Sequence, residues 1–190
     1  VNKEICTLNL APTASTTVAM AIGDALAVVW MERLGISEKD FAINHPSGQL
    51  GKELTLKVED LMKHRDELKP LSLNSSFLEV ISELTRSGIG SCWIKDEKNM
   101  KKLIGIITDG DLRRALRHYE PNVWESLVAE EIMTKDPIII EPDIFAIEAL
   151  KLMEDNSKKQ SVSVLPVINV KSEFLGILRL HDLVQAGLKE

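Results

Sequence analysis

The chain has 190 residues, of which 44% are apolar, 27% are charged and only 4% are aromatic. This composition is typical of a globular protein with one or two domains and an aliphatic core. Asp and Glu outnumber Lys and Arg by 29 to 23, and no run of basic residues is longer than two. We therefore expect no nucleic-acid partner and no attraction to an anionic membrane surface.

Two cysteines, Cys6 and Cys92, lie far apart in the sequence and share no metal-ligand motif. This count excludes a disulfide scaffold and predicts no metal site, so we interpret both as buried free thiols in a reducing cytoplasm. The longest apolar stretch, residues 18–31, is interrupted by Gly23 and Asp24. We expect it to be too short to span a bilayer.

The first 55 residues do not repeat elsewhere, and they contain one long predicted helix. A polar turn at residues 11–17 precedes the apolar positions, and Gly35 ends the helix after Leu34. Ser15 and Thr16 are predicted N-caps whose hydroxyls could also surround an anion. Because the helix is apolar on nearly every side, we expect it to be buried in a larger body or in an oligomer interface.

A turn with the sequence His-Pro-Ser-Gly, at residues 45–48, follows this helix. A histidine on a turn, rather than on an apolar helix face, favours a side chain that reaches a site. His45 is therefore a candidate site residue. For Glu4, the residue pattern alone favours a solvated charge near the N-terminus.

Residues 58–117 and 129–188 are two copies of one unit. Three landmark pairs share a separation of 71 residues: Met62 and Met133, Gly105 and Gly176, Asp111 and Asp182. One offset that holds at both ends of the unit indicates an internal repeat.

Each copy is predicted to begin with a short helix and an extended segment and to end with two strands and a final helix. The predicted strands are residues 91–94, 103–107, 162–168 and 174–178, and the predicted final helices are residues 109–117 and 181–187. We expect the two copies to pack about a pseudo-twofold axis and to bury each other's sheets.

An amphipathic helix lies between the extended segment and the first strand of each copy. In the first copy, apolar residues recur at three-residue steps from Leu78 to Leu84. The spacing of Ser76 and Glu79 predicts a capping box at the start of that helix. In the second copy, Asp143 is a predicted N-cap.

The segment Gly-Ile-Ile-Thr-Asp-Gly-Asp at residues 105–111 joins a predicted strand to a predicted helix. The hydroxyl of Thr108 and the first N–H groups of the helix can receive a phosphate, and Asp111 can accept both hydroxyls of a ribose. In the second copy Arg179 replaces the threonine while Asp182 is kept, so the second site is altered or lost. The alternative is that both aspartates only cap helices.

The two units resemble CBS domains, and the pair resembles a Bateman module. The Gly-x-x-Thr-x-x-Asp element of the first copy is the most specific part of this resemblance. It implies an α/β fold and a ligand near Thr108 and Asp111, either an adenosine nucleotide or a related nucleotide or nucleotide-sugar.

Residues 1–55 are similar to the end of the sugar isomerase (SIS) domain of D-arabinose-5-phosphate isomerases, in which a CBS pair follows with the same order and spacing. The motifs that carry this similarity are residues 3–6, 10–17, 23–28 and 40–51. Ser47 departs from the family, which has Gly or Ala there, and residues 157–161 form a slightly longer connection. The implied architecture is the end of a flavodoxin-like SIS α/β sandwich followed by the CBS pair.

The resemblance implies an enzyme that interconverts D-ribulose 5-phosphate and D-arabinose 5-phosphate for synthesis of Kdo, the acidic sugar of lipopolysaccharide. It implies that Glu4 removes the proton next to the carbonyl and that His45 is the acid–base partner. Ser15 and Thr16 would contact the substrate. No redox cofactor is implied, and a homo-oligomer, a tetramer, is expected.

In that family further site residues lie upstream of the matching segment, so we expect the 190-residue chain alone not to isomerise sugars. Two other classes stay open. One is a stand-alone nucleotide-sensing CBS module, and the other is a non-catalytic regulator that responds to a sugar phosphate. The sequence contains no basic helix-turn-helix segment, which counts against the regulator. Glu4 and His45 discriminate, because a sensor tolerates their substitution and an isomerase does not.

Overall fold

The computed structural model describes residues 1–44, 48–154 and 162–188. Its helices are α1 (Ala14–Leu34), α2 (Glu38–Asn44), α3 (Gln49–Thr55), α4 (Val58–Leu61), α5 (Phe77–Ser87), α6 (Asp109–His118), α7 (Ala129–Ile132), α8 (Ala146–Glu154) and α9 (Leu180–Gln185). Its strands are β1 (Lys63–His64), β2 (Ser91–Lys95), β3 (Leu103–Thr108), β4 (Val164–Ile168) and β5 (Phe174–Arg179). The strands and helices predicted for the two copies are confirmed, with small differences at their ends.

Helix α1 ends where the sequence predicts, because Gly35 takes the left-handed conformation with φ of 63° and closes the last turn. The sequence predicts that a larger body or an oligomer interface buries α1, and the described residues of this chain do not bury it. Its described residues leave none of the side chains of α1 buried, and Leu26 is 66% exposed. The apolar faces of α1 are therefore open to solvent.

The apolar stretch of residues 18–31 is expected to be too short to span a bilayer, and this expectation does not hold for the whole helix. Helix α1 has 21 residues, more than the apolar stretch from which the sequence estimate was made. Among the described residues it is the one helix long and apolar enough to cross a membrane by length and composition, properties that a core helix of a globular protein shares.

The N-terminal part is helical, and the described residues before Lys63 contain no strand. The resemblance of this part to the end of a SIS sandwich therefore stays a prediction. Its last helix, α3, is attached to the second copy: Lys52 Nζ donates a hydrogen bond of 2.8 Å to the carbonyl of Ala186, just after α9.

The capping box predicted for α5 is confirmed. The hydroxyl of Ser76 accepts a hydrogen bond from the backbone N–H of Glu79 at 3.3 Å, and the Glu79 carboxylate accepts one from the backbone N–H of Ser76 at 2.8 Å. The predicted apolar face is partly wrong, because Leu78 is exposed. The predicted Val80 and Leu84 are buried, and Phe77 joins them on the buried face.

The predicted cap of α8 is also wrong. Helix α8 begins at Ala146, and Asp143 lies in the preceding turn. There its carboxylate approaches Lys57 Nζ at 3.7 Å, so its partner is a side chain at the start of the other copy.

The two sheets exchange strands between copies. Strands β2 and β3 form an antiparallel hairpin, as do β4 and β5. Strand β1 of the first copy then pairs with β5 of the second, with Lys63 opposite Ile177. Symmetrically, Thr134 of the second copy pairs with Ile106 of β3. Each sheet is therefore completed by the opening segment of the other copy.

Two landmark glycines of the repeat make this exchange sterically feasible. A Cβ built on Gly176 would lie 2.2 Å from the carbonyl oxygen of Lys63, and one built on Gly105 would lie 2.7 Å from that of Thr134. The glycine of the Gly-x-x-Thr-x-x-Asp element is thus required by the close approach of a strand from the other copy.

The same exchange occurs at the helix starts. The N–H of Val58 donates to the carbonyl of Ile144 at 2.9 Å, and the N–H of Ala129 donates to the carbonyl of Ser75 at 2.8 Å. The short helix of each copy is therefore fixed to the turn before the long helix of the other copy. This pairing of equivalent contacts gives the pseudo-twofold relation predicted from the repeat.

The two sheets bury each other, as predicted. The cluster between them combines three side chains of each copy: Leu68, Ile89, Trp93, Val164, Phe174 and Ile177. At its centre the rings of Trp93 and Phe174 stack with centroids 4.4 Å apart. The cores on either side of this cluster are aliphatic, which follows from the low aromatic content.

Candidate functional site

A cleft of about 1030 Å³ lies between the two copies. The end of β3 and the start of α6 form one side, and the end of β5 and the start of α9 form the other. The polar side chains of its lining include Thr108, Asp111, Arg113, Arg114, Thr134, Asp136, Arg179 and His181. The two motif segments predicted to bind a ligand therefore face the same cleft.

Thr108 and Asp111 form a reciprocal cap at the start of α6. The Asp111 Oδ2 atom accepts from the backbone N–H of Thr108 at 2.8 Å and from its hydroxyl at 2.6 Å. The Thr108 hydroxyl in turn accepts from the backbone N–H of Asp111 at 3.3 Å. The capping role named as the alternative is thus present, and a ligand role for this pair remains a prediction.

The second carboxylate oxygen of Asp111 also has partners. Its Oδ1 accepts a hydrogen bond from the hydroxyl of Thr134 at 3.3 Å and from Nη2 of Arg114. The side chain of Asp111 is 6% exposed, whereas that of Arg114 is 67% exposed. A ribose hydroxyl could therefore reach Asp111 only by taking the place of one of these donors.

In the second copy, Arg179 holds Asp182 through more hydrogen bonds than Arg114 makes to Asp111. Nε of Arg179 donates to Oδ2 of Asp182 at 2.8 Å, and Nη2 of Arg179 donates to Oδ1. Asp182 also accepts the backbone N–H of Arg179 at 3.2 Å, so it caps α9 as Asp111 caps α6. Hydrogen bonding to Asp182 raises the pKa of Arg179. Both carboxylate oxygens of Asp182 therefore already accept hydrogen bonds from Arg179. A ligand role for Asp182 stays a prediction.

The cleft lining contains three arginines, Arg113, Arg114 and Arg179, together with His181 and three aspartates. Arg113 lines the cleft, is exposed and forms no ion pair with any described residue. His181 lies opposite, in the first turn of α9. In addition to Asp111, the acidic residues of the lining are Asp109 and Asp136. The exposed guanidinium of Arg113, which has no ion pair with a described residue, suits an anionic ligand.

Sequence reasoning missed five polar residues of this cleft: Arg113, Arg114, Thr134, Asp136 and His181. Arg113 and Arg114 carry a sequence signal, because they form a basic pair directly after the motif aspartate. Thr134 carries no such signal, because only the exchange of strands between copies brings it to Asp111.

Glu4 lies far along the chain from the cleft residues and caps α1. Its Oε2 accepts from the N–H of Thr13 at 2.8 Å, from the hydroxyl of Thr13 at 3.0 Å and from the N–H of Ser15 at 3.2 Å. Hydrogen bonds from Ser15 and Thr13 lower the pKa of Glu4 from 4.5 to about 2. This direction is opposite to the one that suits a base near neutral pH.

The N-cap expectation for Ser15 and Thr16 is corrected. The cap position is Thr13, whose side chain makes no cap bond, and Glu4 supplies the acceptor instead. Thr16 donates its hydroxyl back to the carbonyl of Thr13 at 2.8 Å. The structure brings Glu4 and Ser15 together, whereas His45 lies outside the described residues. Among the described residues, no group of three or more His, Cys, Asp or Glu side chains could hold a metal ion.

A duplicated strand–helix–strand–strand–helix unit, packed about a pseudo-twofold axis around one cleft, defines a tandem CBS pair. The family model of the CBS domain matches residues 58–118 and 128–189. The chain belongs to the CBS domain family.

Curated relatives extend the similarity to the N-terminal part. The chain is 42% identical to arabinose 5-phosphate isomerase KdsD of Pseudomonas aeruginosa over 189 residues, which cover 99% of this chain and 55% of the relative. It is 39% identical to arabinose 5-phosphate isomerase KdsD of Francisella tularensis, covering 100% of this chain and 55% of that protein. The resemblance to this isomerase family is confirmed, and the chain spans about half the length of the curated relatives it matches.

Solved structures match the CBS pair. The crystal structure of CBSX2 in complex with AMP has a TM-score of 0.57 and 20% identity, covering 70% of this chain and 96% of that one, and it shows the fold alone. The CBS pair of MJ0100 in complex with 5′-methylthioadenosine and S-adenosyl-L-methionine has a TM-score of 0.53 and 27% identity. It covers 68% of this chain and 93% of that one.

Proposed function

We propose that this chain belongs to a cytoplasmic sugar-phosphate isomerase that interconverts D-ribulose 5-phosphate and D-arabinose 5-phosphate. The observation that carries the proposal is the 42% identity, along 99% of the chain, to a relative named for arabinose 5-phosphate. The chemistry needs a base that removes the proton next to the carbonyl and returns it to the neighbouring carbon of the enediol. It needs no redox cofactor, and the product would feed Kdo synthesis.

Glu4 is the proposed enediol base and His45 the proposed acid–base partner, with Ser15 and Thr16 as substrate contacts. A carboxylate with a pKa of about 2 is a weak base at neutral pH, so Glu4 must exchange its capping hydrogen bonds for other surroundings before it acts. We therefore propose that the 190-residue chain alone, in which Glu4 caps α1, has no turnover.

The test compares the 190-residue chain with the longer parent protein, using conversion of ribulose 5-phosphate as the measurement. In the parent, Glu4→Gln and His45→Asn are expected to lower kcat by at least about a hundredfold each, the usual size of an acid–base contribution. Glu32→Gln, on the exposed side of α1, is the matched control and is expected to leave kcat unchanged. Full activity of both site variants would instead favour a nucleotide-sensing module.

We propose that the CBS pair is the regulatory module of this enzyme and that its cleft binds a nucleoside phosphate or a nucleotide-sugar. Two features support this: the cleft lies between both motif segments, and its lining is rich in arginine. Solved structures of similar fold include a complex with AMP and one with S-adenosyl-L-methionine, and what these two ligands share is adenosine.

Calorimetric titration with AMP, ATP, CMP and CMP-Kdo tests the regulatory proposal. Thr108→Ala removes the hydroxyl at the start of α6 and is expected to weaken binding of the ligand found, whereas Thr108→Ser keeps the hydroxyl and serves as control. If none of the four binds, the CBS pair is an assembly module, and the isomerase proposal stands or falls separately.

A further inference from the structure

The contact between Arg114 and Asp111 differs from the equivalent contact between Arg179 and Asp182 in the second copy. Arg114 reaches back one turn of α6 and donates a single nitrogen to Oδ1 of Asp111. Its side chain is mostly exposed, while the carboxylate it covers is nearly fully buried. Because the guanidinium is in contact with water and holds the carboxylate through one nitrogen, another cation or hydrogen-bond donor can take its place.

The second copy provides an internal comparison. Arg179 holds Asp182 with two nitrogens and is only 23% exposed, and its own backbone N–H also binds the carboxylate. Two contacts in a fork geometry are stronger than one, and a half-buried guanidinium is costly to move. Of the two covered aspartates, Asp111 is therefore the one that can be uncovered.

Uncovering Asp111 has an electrostatic requirement. If Arg114 left without replacement, a buried carboxylate would lose its cationic partner, which is unfavourable. A ligand can meet this requirement by bringing hydroxyls, which donate to Oδ1, together with an anionic group, which holds the displaced guanidinium. A nucleoside brings only the hydroxyls, and inorganic phosphate brings only the anion.

We propose that Arg114 is a displaceable cover of Asp111 and the residue that makes the cleft select nucleoside phosphates over nucleosides. The inference rests on the proposed nucleotide-binding function of the cleft. Arg113, the adjacent cleft residue with no ion pair to a described residue, supplies a second cation to the same anionic group. On binding, the Arg114 guanidinium moves from the carboxylate to the phosphate, and the ribose hydroxyls take its place at Oδ1.

The experiment is calorimetric titration of the 190-residue chain with AMP, adenosine and inorganic phosphate. Wild type is expected to bind AMP at least about tenfold more tightly than adenosine, because one charge-assisted hydrogen bond is worth about that much. Arg114→Met is expected to weaken the binding of AMP by about tenfold. The binding of adenosine should be as tight as in wild type or tighter, because the guanidinium no longer covers Asp111. Arg114→Lys keeps the charge and is expected to keep part of the preference.

The matched control is Arg117→Met, which removes an exposed arginine of the same helix that does not line the cleft. It is expected to behave as wild type. An unchanged ratio of AMP to adenosine affinity in Arg114→Met, or an equal loss of both ligands, would overturn the role of Arg114 while leaving the nucleotide site in place. Failure of the wild-type chain to bind either ligand would overturn this inference and the proposed nucleotide site together.

Discussion

The two thiols of the chain lie in opposite surroundings. Cys92 is in β2 and is buried in the core of the first copy, where burial, with the negative charge of Glu83 as a second cause, raises its pKa to about 12. Cys6 is partly exposed, and its sulfur accepts backbone N–H groups of Leu10 and Ala11, each at 3.1 Å. The hydrogen bond from Ala11 is the largest cause that lowers the pKa of Cys6. The expectation of two buried thiols is therefore correct for Cys92 and wrong for Cys6.

Alkylation should separate the two cysteines. At about pH 7, iodoacetamide is expected to modify Cys6 in the folded chain and to modify Cys92 only after addition of denaturant, because the thiolate is the reactive form. Mass spectrometry of the digested protein measures both. Equal rates in the folded chain would contradict the burial of Cys92. The raised pKa of Cys92 also makes its contribution to stability depend on pH. This contribution is fully present below about pH 9, the usual pKa of a free thiol, and it is lost as the pH rises toward 12.

The cap of α1 should depend on acid. Because the pKa of Glu4 is lowered in the fold, its contribution to the order of the helix start is complete above pH 4.5 and is lost as pH falls toward 2. The N–H signals of Thr13 and Ser15 in NMR spectra are expected to shift together over that range. In Glu4→Gln this shift should be absent, whereas Glu32→Gln should retain it.

At the scale of secondary-structure elements, sequence patterns predicted what local interactions decide. The capping box of Ser76, the end of α1 at Gly35 and the strands of both hairpins follow from neighbouring residues. Local patterns gave wrong predictions where a distant part of the chain supplies the partner of a side chain. Asp143 is an example, because it pairs with Lys57 and does not cap its own helix. The two motif segments of the site were found from sequence. The contact of Thr134 with Asp111 was not found from sequence, because only pairing between the copies brings Thr134 there.

Gly176 offers a test of the strand exchange. In Gly176→Ala the new Cβ would collide with the backbone of Lys63, so β1 must move away from β5. We expect a loss of about 1–3 kcal/mol in the free energy of unfolding, the usual cost of overpacking. Urea denaturation measures it. Gly23→Ala is the matched control, since nothing lies within 4 Å of its Cβ position and alanine favours the helix.

At the scale of the whole molecule, the two copies form one body with the ring pair of Trp93 and Phe174 at its centre. The repeat predicted this packing, because each copy has a sheet with an apolar face that the equivalent face of the other copy can bury. For α1 the sequence predicted burial by a larger body or an oligomer interface, and the described residues of this chain leave none of its side chains buried.

Replacement of Trp93 tests the central packing. Trp93 is 2% exposed, so Trp93→Ala should lower the free energy of unfolding by about 3–5 kcal/mol, through lost burial and a cavity. Trp30→Ala, on α1 where the ring is 63% exposed, should change it by less than about 0.5 kcal/mol. Chemical denaturation followed by circular dichroism compares the two variants. Similar losses for both would show that the centre between the copies is not the main contact.

The exchange of opening segments also determines what happens when the chain is divided. A cut in the connection between α6 and α7 would leave two pieces, each with an unpaired strand edge whose missing neighbour is carried by the other piece. Neither piece could complete its sheet by itself, yet each presents the template that the other lacks. We therefore expect the two pieces, when they are expressed separately, to bind each other through these strand edges.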